Sequence, residues 1–362
     1  LFFTFYISLL QASVFRLSLR LLSVSCLPCV IRIAMWGYVD WWSAFWSLLL
    51  FTVLTFLALC VYLYATSSRL PLIVRYSEEF NFKDPSQPGR SFQYPHLHDE
   101  PSIDLSVIVP AYEEEKRLPP MLDECLEYLQ AKQKKDVNFT YEVIIVDDGS
   151  RDRTTSVGMQ YSLKHGAENV RVLTLAKNRG KGGAVRMGML SARGKWLLFA
   201  DADGATKFSD LDKLEEEADR LLKKSPTVVV VGSRSHLEKE TIAERSMFRT
   251  FLMYGFHFLV WLFTVRGISD TQCGFKLFSR EAAAQLFTSL HVERWAFDVE
   301  ILYIAQALKF PIGEVAVHWT EIEGSKVVPF WTWVEMGRDL FLIWLRYRIG
   351  AWSIAAQPKK LN

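Results

Sequence analysis

The sequence has no excess of either charge: among 362 residues, 42 Lys and Arg face 40 Asp and Glu. That balance removes the electrostatic case for nucleic acid as a partner. Cysteine is scarce, with five scattered residues (Cys26, Cys29, Cys60, Cys125, Cys273). So few and so dispersed, they build no disulfide framework, and a reducing compartment suits the main body of the chain. Cys26-Leu-Pro-Cys29 lacks the second pair that a zinc site needs and reads as chance. Acidic residues are missing from residues 1–34, and all charge is missing from residues 44–65.

The uncharged stretch is AFWSLLLFTVLTFLALCVYLYA, about the ~20 residues that a bilayer-crossing helix needs. Trp36, Trp41, Trp42 and Trp46 crowd one end, and Tyr62 and Tyr64 the other, in the manner of an aromatic belt. We read 44–65 as a transmembrane anchor. Arg69, Arg75 and Lys83 follow it, which places the large C-terminal part in the cytosol. Residues 1–34 put Arg16, Arg20 and Arg32 on the other side and could form a transit-like leader or a second apolar segment. Since the chain opens on Leu and its first methionine is Met35, they read best as an extension outside the translated protein. Residues 67–103, polar and proline-containing, read as a linker, with His96 and His98 on a surface loop.

From residue 104 the pattern changes. LSVIV (105–109), EVIIVD (142–147), VRVLTL (170–175), WLLFAD (196–201) and TVVVVG (227–232) are short, continuous apolar runs. Between them, 118–135 and 209–224 carry helical spacing and a charged face. Such alternation predicts an α/β domain with a mostly parallel sheet buried on both faces, and ligands at the carboxyl ends of its strands. The unusual residues fall at those ends. Pro110-Ala-Tyr-Glu-Glu follows the first run, Asp147-Asp148-Gly-Ser the second, and Asp201-Ala-Asp203-Gly the fourth. One Asp pair at a strand end is ordinary turn chemistry; three clusters on one edge are not. NRGKGGAVRMGM (178–189) lies between them, with Arg179, Lys181 and Arg186 among glycines that permit close approach to a diphosphate. It is not a P-loop, because Gly182 follows Lys181, and Val185 stands where a dinucleotide fingerprint wants its third glycine.

IVPAYEEE, VDDGS, NRGKGGA, DADG and DTQCGFK, in that order, resemble the inverting GT-A glycosyltransferases of family 2 over residues 67–350. FADADGATKF, DTQCGFKLF and RWAFDVE are most similar to the branch that glucosylates dolichyl phosphate. The resemblance implies a Rossmann-like nucleotide-diphospho-sugar transferase domain over 104–325. It implies a nucleotide pocket of Pro110, Ala111, Tyr112 and Glu113, with Asp147 and Asp148 beside it, and Gly180, Lys181 and Gly182 at the diphosphate. Asp201 and Asp203 match the D-x-D motif: Asp203 as direct ligand of Mg²⁺ or Mn²⁺, Asp201 on ribose or a metal-bound water. The donor it implies is UDP-glucose, the acceptor dolichyl phosphate, and the location the endoplasmic reticulum membrane.

A phosphate monoester is already anionic, with a second pKa near ~6, so the acceptor needs no strong base. Cations that hold two phosphates together matter more, and Arg234, Lys276, Arg245 and Arg249 are the candidates. Asp298 falls where related enzymes place a carboxylate and is a candidate for positioning the acceptor or these cations. His291-Val-Glu-Arg294-Trp295 is close to the Q-x-x-R-W signature of processive synthases, but His replaces Gln and the chain has one clear span. The apolar stretch 247–265, with only Arg249 and His257, could span, lie in the interface or pack internally, the interface ranking first. The stretch 330–348, with Glu335, Arg338, Asp339, Arg346 and Arg348, is too charged to span and reads as a membrane-interfacial amphipathic helix over 326–350. Two other functions compete with glucosyl transfer: the same chemistry with GDP-mannose, and an anchored partner without catalysis.

Overall fold

The computed structural model describes residues 27–236, 255, 258–322 and 329–355. The chain divides at Leu63 into an N-terminal unit and a unit that begins at Tyr64. The first contains all but the last three residues of helix α1 (Leu27–Thr66), which starts well before the expected 44–65 and runs through Met35 and Asp40. Its stretch Trp41–Thr66 is long and apolar enough to cross a membrane. Trp41, Leu50 and Phe51 are each more than half exposed, so this is no core helix.

The second unit is built on a seven-stranded sheet. Its strands are β3 (Ile103–Ala111), β4 (Tyr141–Asp147), β5 (Val170–Thr174), β6 (Gly194–Ala200), β7 (Val229–Ser233), β8 (Phe275–Ser279) and β9 (Ile312–Ala316). The spatial order is β5-β4-β3-β6-β8-β7-β9, parallel except for β8, which runs antiparallel to both neighbours. The apolar runs are continuous because both faces are covered, and alternate residues serve opposite cores. Leu105, Val107 and Val109 join the core under helices α2 (Leu118–Lys135) and α5 (Leu211–Leu222). Ile108, Ile144 and Phe199 join the opposite core, under α4 (Lys181–Leu190), α6 (Arg280–Ser289) and α7 (Phe297–Ala307). Helix α3 (Thr154–His165) lies beside β5. Pro110 stands inside β3 rather than after it; there the strand pairs only with β4, the β6 ladder having ended at Ile108.

Two expectations change. Residues 67–103 are no plain linker: β1 (Asn81–Lys83) and β2 (Ser91–Gln93) form a hairpin, and Glu79, Tyr94 and Leu97 are buried. The C-terminal helix α8 (Pro329–Arg348) buries Leu340, Ile343 and Leu345 against the domain instead of only lying in an interface. Around it, Phe263 packs edge-on against Phe341 at 5.6 Å and meets Trp344 at the same distance.

Candidate active site

Parallel strands end on one edge, and β8 brings its beginning to the same place. Ala111 pairs with Asp147 across β3 and β4, and Ala200 with Phe275 across β6 and β8. Asp201 and Asp203 therefore emerge beside Gly274, whose carbonyl accepts the Asp201 N–H at 3.0 Å. A methyl group at Gly274 would lie 1.8 Å from an Asp201 oxygen, so only glycine leaves room for that carboxylate. The Asp203 carboxylate accepts the Ala205 N–H at 3.0 Å. Burial raises its pKa, and the Asp201 charge raises it further, against the pull of Lys181 and Arg117.

Lys181 opens α4 and reaches the edge, with its Nζ 2.7 Å from Asp201 Oδ1. Burial works against its charge, but Asp201, Asp298 and Asp203 outweigh burial and raise its pKa. Behind it, Lys276 is fully buried, 2.5 Å from Asp298 Oδ1 and 2.7 Å from the Cys273 carbonyl. Both ammonium groups lie over the Phe199 ring, at 5.2 and 5.7 Å from its centroid. Asp298 has its pKa raised by burial, opposed by the two lysines. The fourfold set Asp201, Lys181, Lys276 and Asp298 is thus one connected charge cluster at the end of β6.

The second acidic pair does other work. Asp147 is buried, accepting Ser150 N–H at 2.9 Å and the Thr155 hydroxyl, and so shapes the turn into α3. Asp148 accepts the N–H groups of Arg179 (2.7 Å) and Gly180 (2.8 Å) and fixes the entry to the glycine-rich loop. Burial pushes its pKa up to about 6, against those two hydrogen bonds. Residues 113–115 are tied to the same turn through their N–H groups, on Ser150, Thr154 and Asp152. Glu113 holds φ 53, a strained backbone for a side chain of its size.

The loop itself differs from the expectation of a bare phosphate cradle. Gly183 N–H donates to the Glu293 carbonyl at 2.9 Å. A methyl group at Gly182 would come 2.5 Å from Phe297 Cβ, and one at Gly180, at φ 83, would come 2.9 Å from the Glu293 carbonyl. The glycines let α4 close onto the 293–297 segment. Of the loop's three cations, Lys181 faces the aspartates. Arg179 turns back to Glu79 at 2.7 Å, and Arg186 is buried on Glu293 and the Leu290 carbonyl.

The sequence profile of glycosyl transferase family 2 matches residues 106–287, which hold the aspartate edge, the loop and Lys276. The chain belongs to glycosyl transferase family 2. Its relatives include a dolichyl-phosphate beta-glucosyltransferase of Drosophila melanogaster, 64% identical over 80% of this chain and 89% of that protein. A human protein of the same name is 58% identical over 83% of this chain and 92% of its own length. Among solved structures, a Mycobacterium tuberculosis glucosyl-3-phosphoglycerate synthase in complex with uridine diphosphate aligns at TM-score 0.46 and 19% identity, covering 71% and 82% of the two chains.

In this glycosyltransferase the GT-A sheet edge holds Pro110, Ala111, Asp147, Asp148, Asp201 and Asp203 on neighbouring strand ends, with Tyr112 and Glu113 in the loop leaving β3. Arg234 is committed elsewhere: its guanidinium is bidentate on Asp270, at 2.7 and 2.9 Å, and stacks on Trp319 at 5.4 Å. Arg245 and Arg249 lie outside the described residues. Sequence reading passed over Arg117, whose charge acts on Asp203 while it pairs with Glu114, and Glu79 and Gly274. Among the described residues no three His, Cys, Asp or Glu side chains converge as a ready-made metal site. Two carboxylates at a strand end, one disfavoured by burial and repulsion, nevertheless suit a hard divalent ion whose shell phosphate oxygens complete.

Proposed function

We propose that this glycosyltransferase moves glucose from UDP-glucose to dolichyl phosphate with inversion. The product is dolichyl β-D-glucosyl phosphate, the glucose donor for the lipid-linked oligosaccharide of protein N-glycosylation. The reading is carried by relatives up to 64% identical, matched over most of their length, that are named for dolichyl-phosphate glucosylation. Pro110, Ala111, Tyr112 and Glu113 would line uracil and ribose, with Asp147 and Asp148 shaping the pocket from behind. Asp203, with Asp201 beside it, would hold Mg²⁺ or Mn²⁺, which supplies charge neutralisation to the departing diphosphate.

An acceptor phosphate oxygen attacks the anomeric carbon while the bond to the UDP oxygen breaks on the opposite face. The attacking oxygen carries its own negative charge, so no residue has to remove a proton. Lys181 is placed to exchange Asp201 for the diphosphate. Lys276 and Asp298 hold each other and keep the floor of the site in place. To meet the acceptor phosphate, Lys276 and Arg234 would have to share or release their carboxylate partners, Asp298 and Asp270.

The anchor and the cations after it fit an endoplasmic reticulum membrane protein with a cytosolic catalytic domain. Phe258, Trp261, Leu262 and Val334 are exposed apolar residues of the second unit, fit to touch the interface from which a polyprenyl phosphate is presented. The test is to supply full-length protein in detergent with dolichyl phosphate and either labelled UDP-glucose or labelled GDP-mannose. Label entering the lipid from UDP-glucose alone is expected; transfer from GDP-mannose instead assigns the other sugar.

A further inference from the structure

The glycine-rich loop is clasped by a segment that the transfer chemistry does not use. Glu79, in the single helical turn Ser77–Phe80, is fully buried. One of its oxygens accepts the Ala176 N–H at 3.0 Å. The other accepts the Tyr76 N–H at 3.0 Å and pairs with Arg179 Nη2 at 2.7 Å. Arg179 also donates to the Val74 carbonyl at 2.5 Å and lies 5.6 Å from the centre of the Tyr76 ring. Next to it, Arg75 donates to the Glu79 carbonyl at 2.7 Å and to Ser191 Oγ, just past the end of α4, at 2.6 Å. Residues 74–79 thus grip the chain before α4 and after it. A passive linker has no need of a buried charge, which is costly unless its partners are fixed.

We propose that Glu79 is a positioning residue for sugar-nucleotide binding: through Arg179 and the Ala176 amide it fixes the loop that carries Lys181 to the aspartate edge. Asp148 holds the same loop from the sheet side, on the N–H groups of Arg179 and Gly180. The two carboxylates pin one turn of chain between them, so Lys181 meets Asp201 without a search. The segment that follows the apolar helix in sequence is therefore part of the donor site. This inference rests on the UDP-glucose reading above.

Glu79→Gln keeps the size and most of the shape while removing the charge. The expected result is a KM for UDP-glucose raised about tenfold, with the KM for dolichyl phosphate and kcat within about twofold. Hydrogen exchange of the substrate-free variant should speed up about tenfold at amides 176–183 and stay unchanged in β4. Should Glu79→Gln not accumulate as folded protein, Arg179→Gln severs the same tether from the loop's side and carries the same expectations. Unchanged loop exchange together with an unchanged UDP-glucose KM overturns the proposal. Exchange that rises equally across the sheet, with kcat and both KM values moving together, overturns it too and makes Glu79 merely structural. Wild-type protein that fails to transfer glucose would sink the functional reading instead, and the exchange result would still decide the tether.

Discussion

A methyl group at Gly274 would fall 1.8 Å from an Asp201 oxygen, far inside any permitted contact. The strand behind it is fixed by its pairing with β6, so the carboxylate is what must move. Gly274→Ala is expected to lower kcat/KM for UDP-glucose on the order of 100-fold, the scale of an ångström of misplacement, with the thermal midpoint little changed. Steady-state kinetics beside a melting curve checks it. Asp148 makes a different prediction. Its pKa is raised to about 6 from an ordinary 3.8 because burial opposes its charge. The folded state therefore binds more protons than the unfolded chain between those values, and stability falls as pH rises from about 4 to about 6. Asp148→Asn should flatten that slope, while lying lower overall because one loop amide loses its acceptor. Melting midpoints measured across that pH range read it out.

Single residues were unevenly legible. The Asp pairs announce themselves, because carboxylates clustered after apolar runs are visible in a line of sequence. Glu79 does not: its partner Arg179 is 100 positions away, and nothing local distinguishes it from the neighbouring Glu78. Gly274 is equally silent, since its reason is a side chain on another strand.

Helix α4 and the glycines at its start are where sequence and structure part most clearly at the level of elements. Glycine signals close approach, but not by what. Here the near neighbours are Phe297 and the Glu293 carbonyl, so the loop's glycines serve helix packing first. Gly182→Ala would push a methyl group against Phe297 Cβ, 2.5 Å away. Overpacking of this kind costs about 1–3 kcal/mol, and denaturant unfolding should show it as a lower midpoint with the slope unchanged. The five apolar runs read as strands are all strands of the sheet, and α2 matches its expected 118–135. Strands β8 and β9 were not anticipated. FKLFS was seen only as part of a motif, and an antiparallel strand inserted between parallel ones leaves no periodicity of its own. That insertion matters, because it pairs Lys276 with Phe199 and so places the buried lysine beneath the aspartate edge.

For the molecule as a whole, composition was a good guide to the kind of protein and a poor one to its seams. The uncharged run does form a helix able to span a bilayer, and the α/β alternation does form one sheet with covered faces. The segment between them looked like spacer because it is polar and proline-containing, yet it buries a carboxylate, a tyrosine and a leucine in the second unit. Burial by partners distant in sequence is the property that a linear reading cannot see.

If glucose leaves UDP at the Asp201–Asp203 edge, as proposed, Asp203→Ala strikes the reaction at its centre. Asp203→Ala takes the acceptor from the Ala205 N–H but also removes a charge that burial and Asp201 disfavour, and the two effects offset, so the fold should survive the change. Transfer of label from UDP-glucose to dolichyl phosphate is predicted to fall on the order of 1,000-fold, the scale of losing an electrostatic stabiliser of the leaving charge, with an unaltered melting midpoint. Full transfer by folded Asp203→Ala would mean that the leaving diphosphate is stabilised elsewhere.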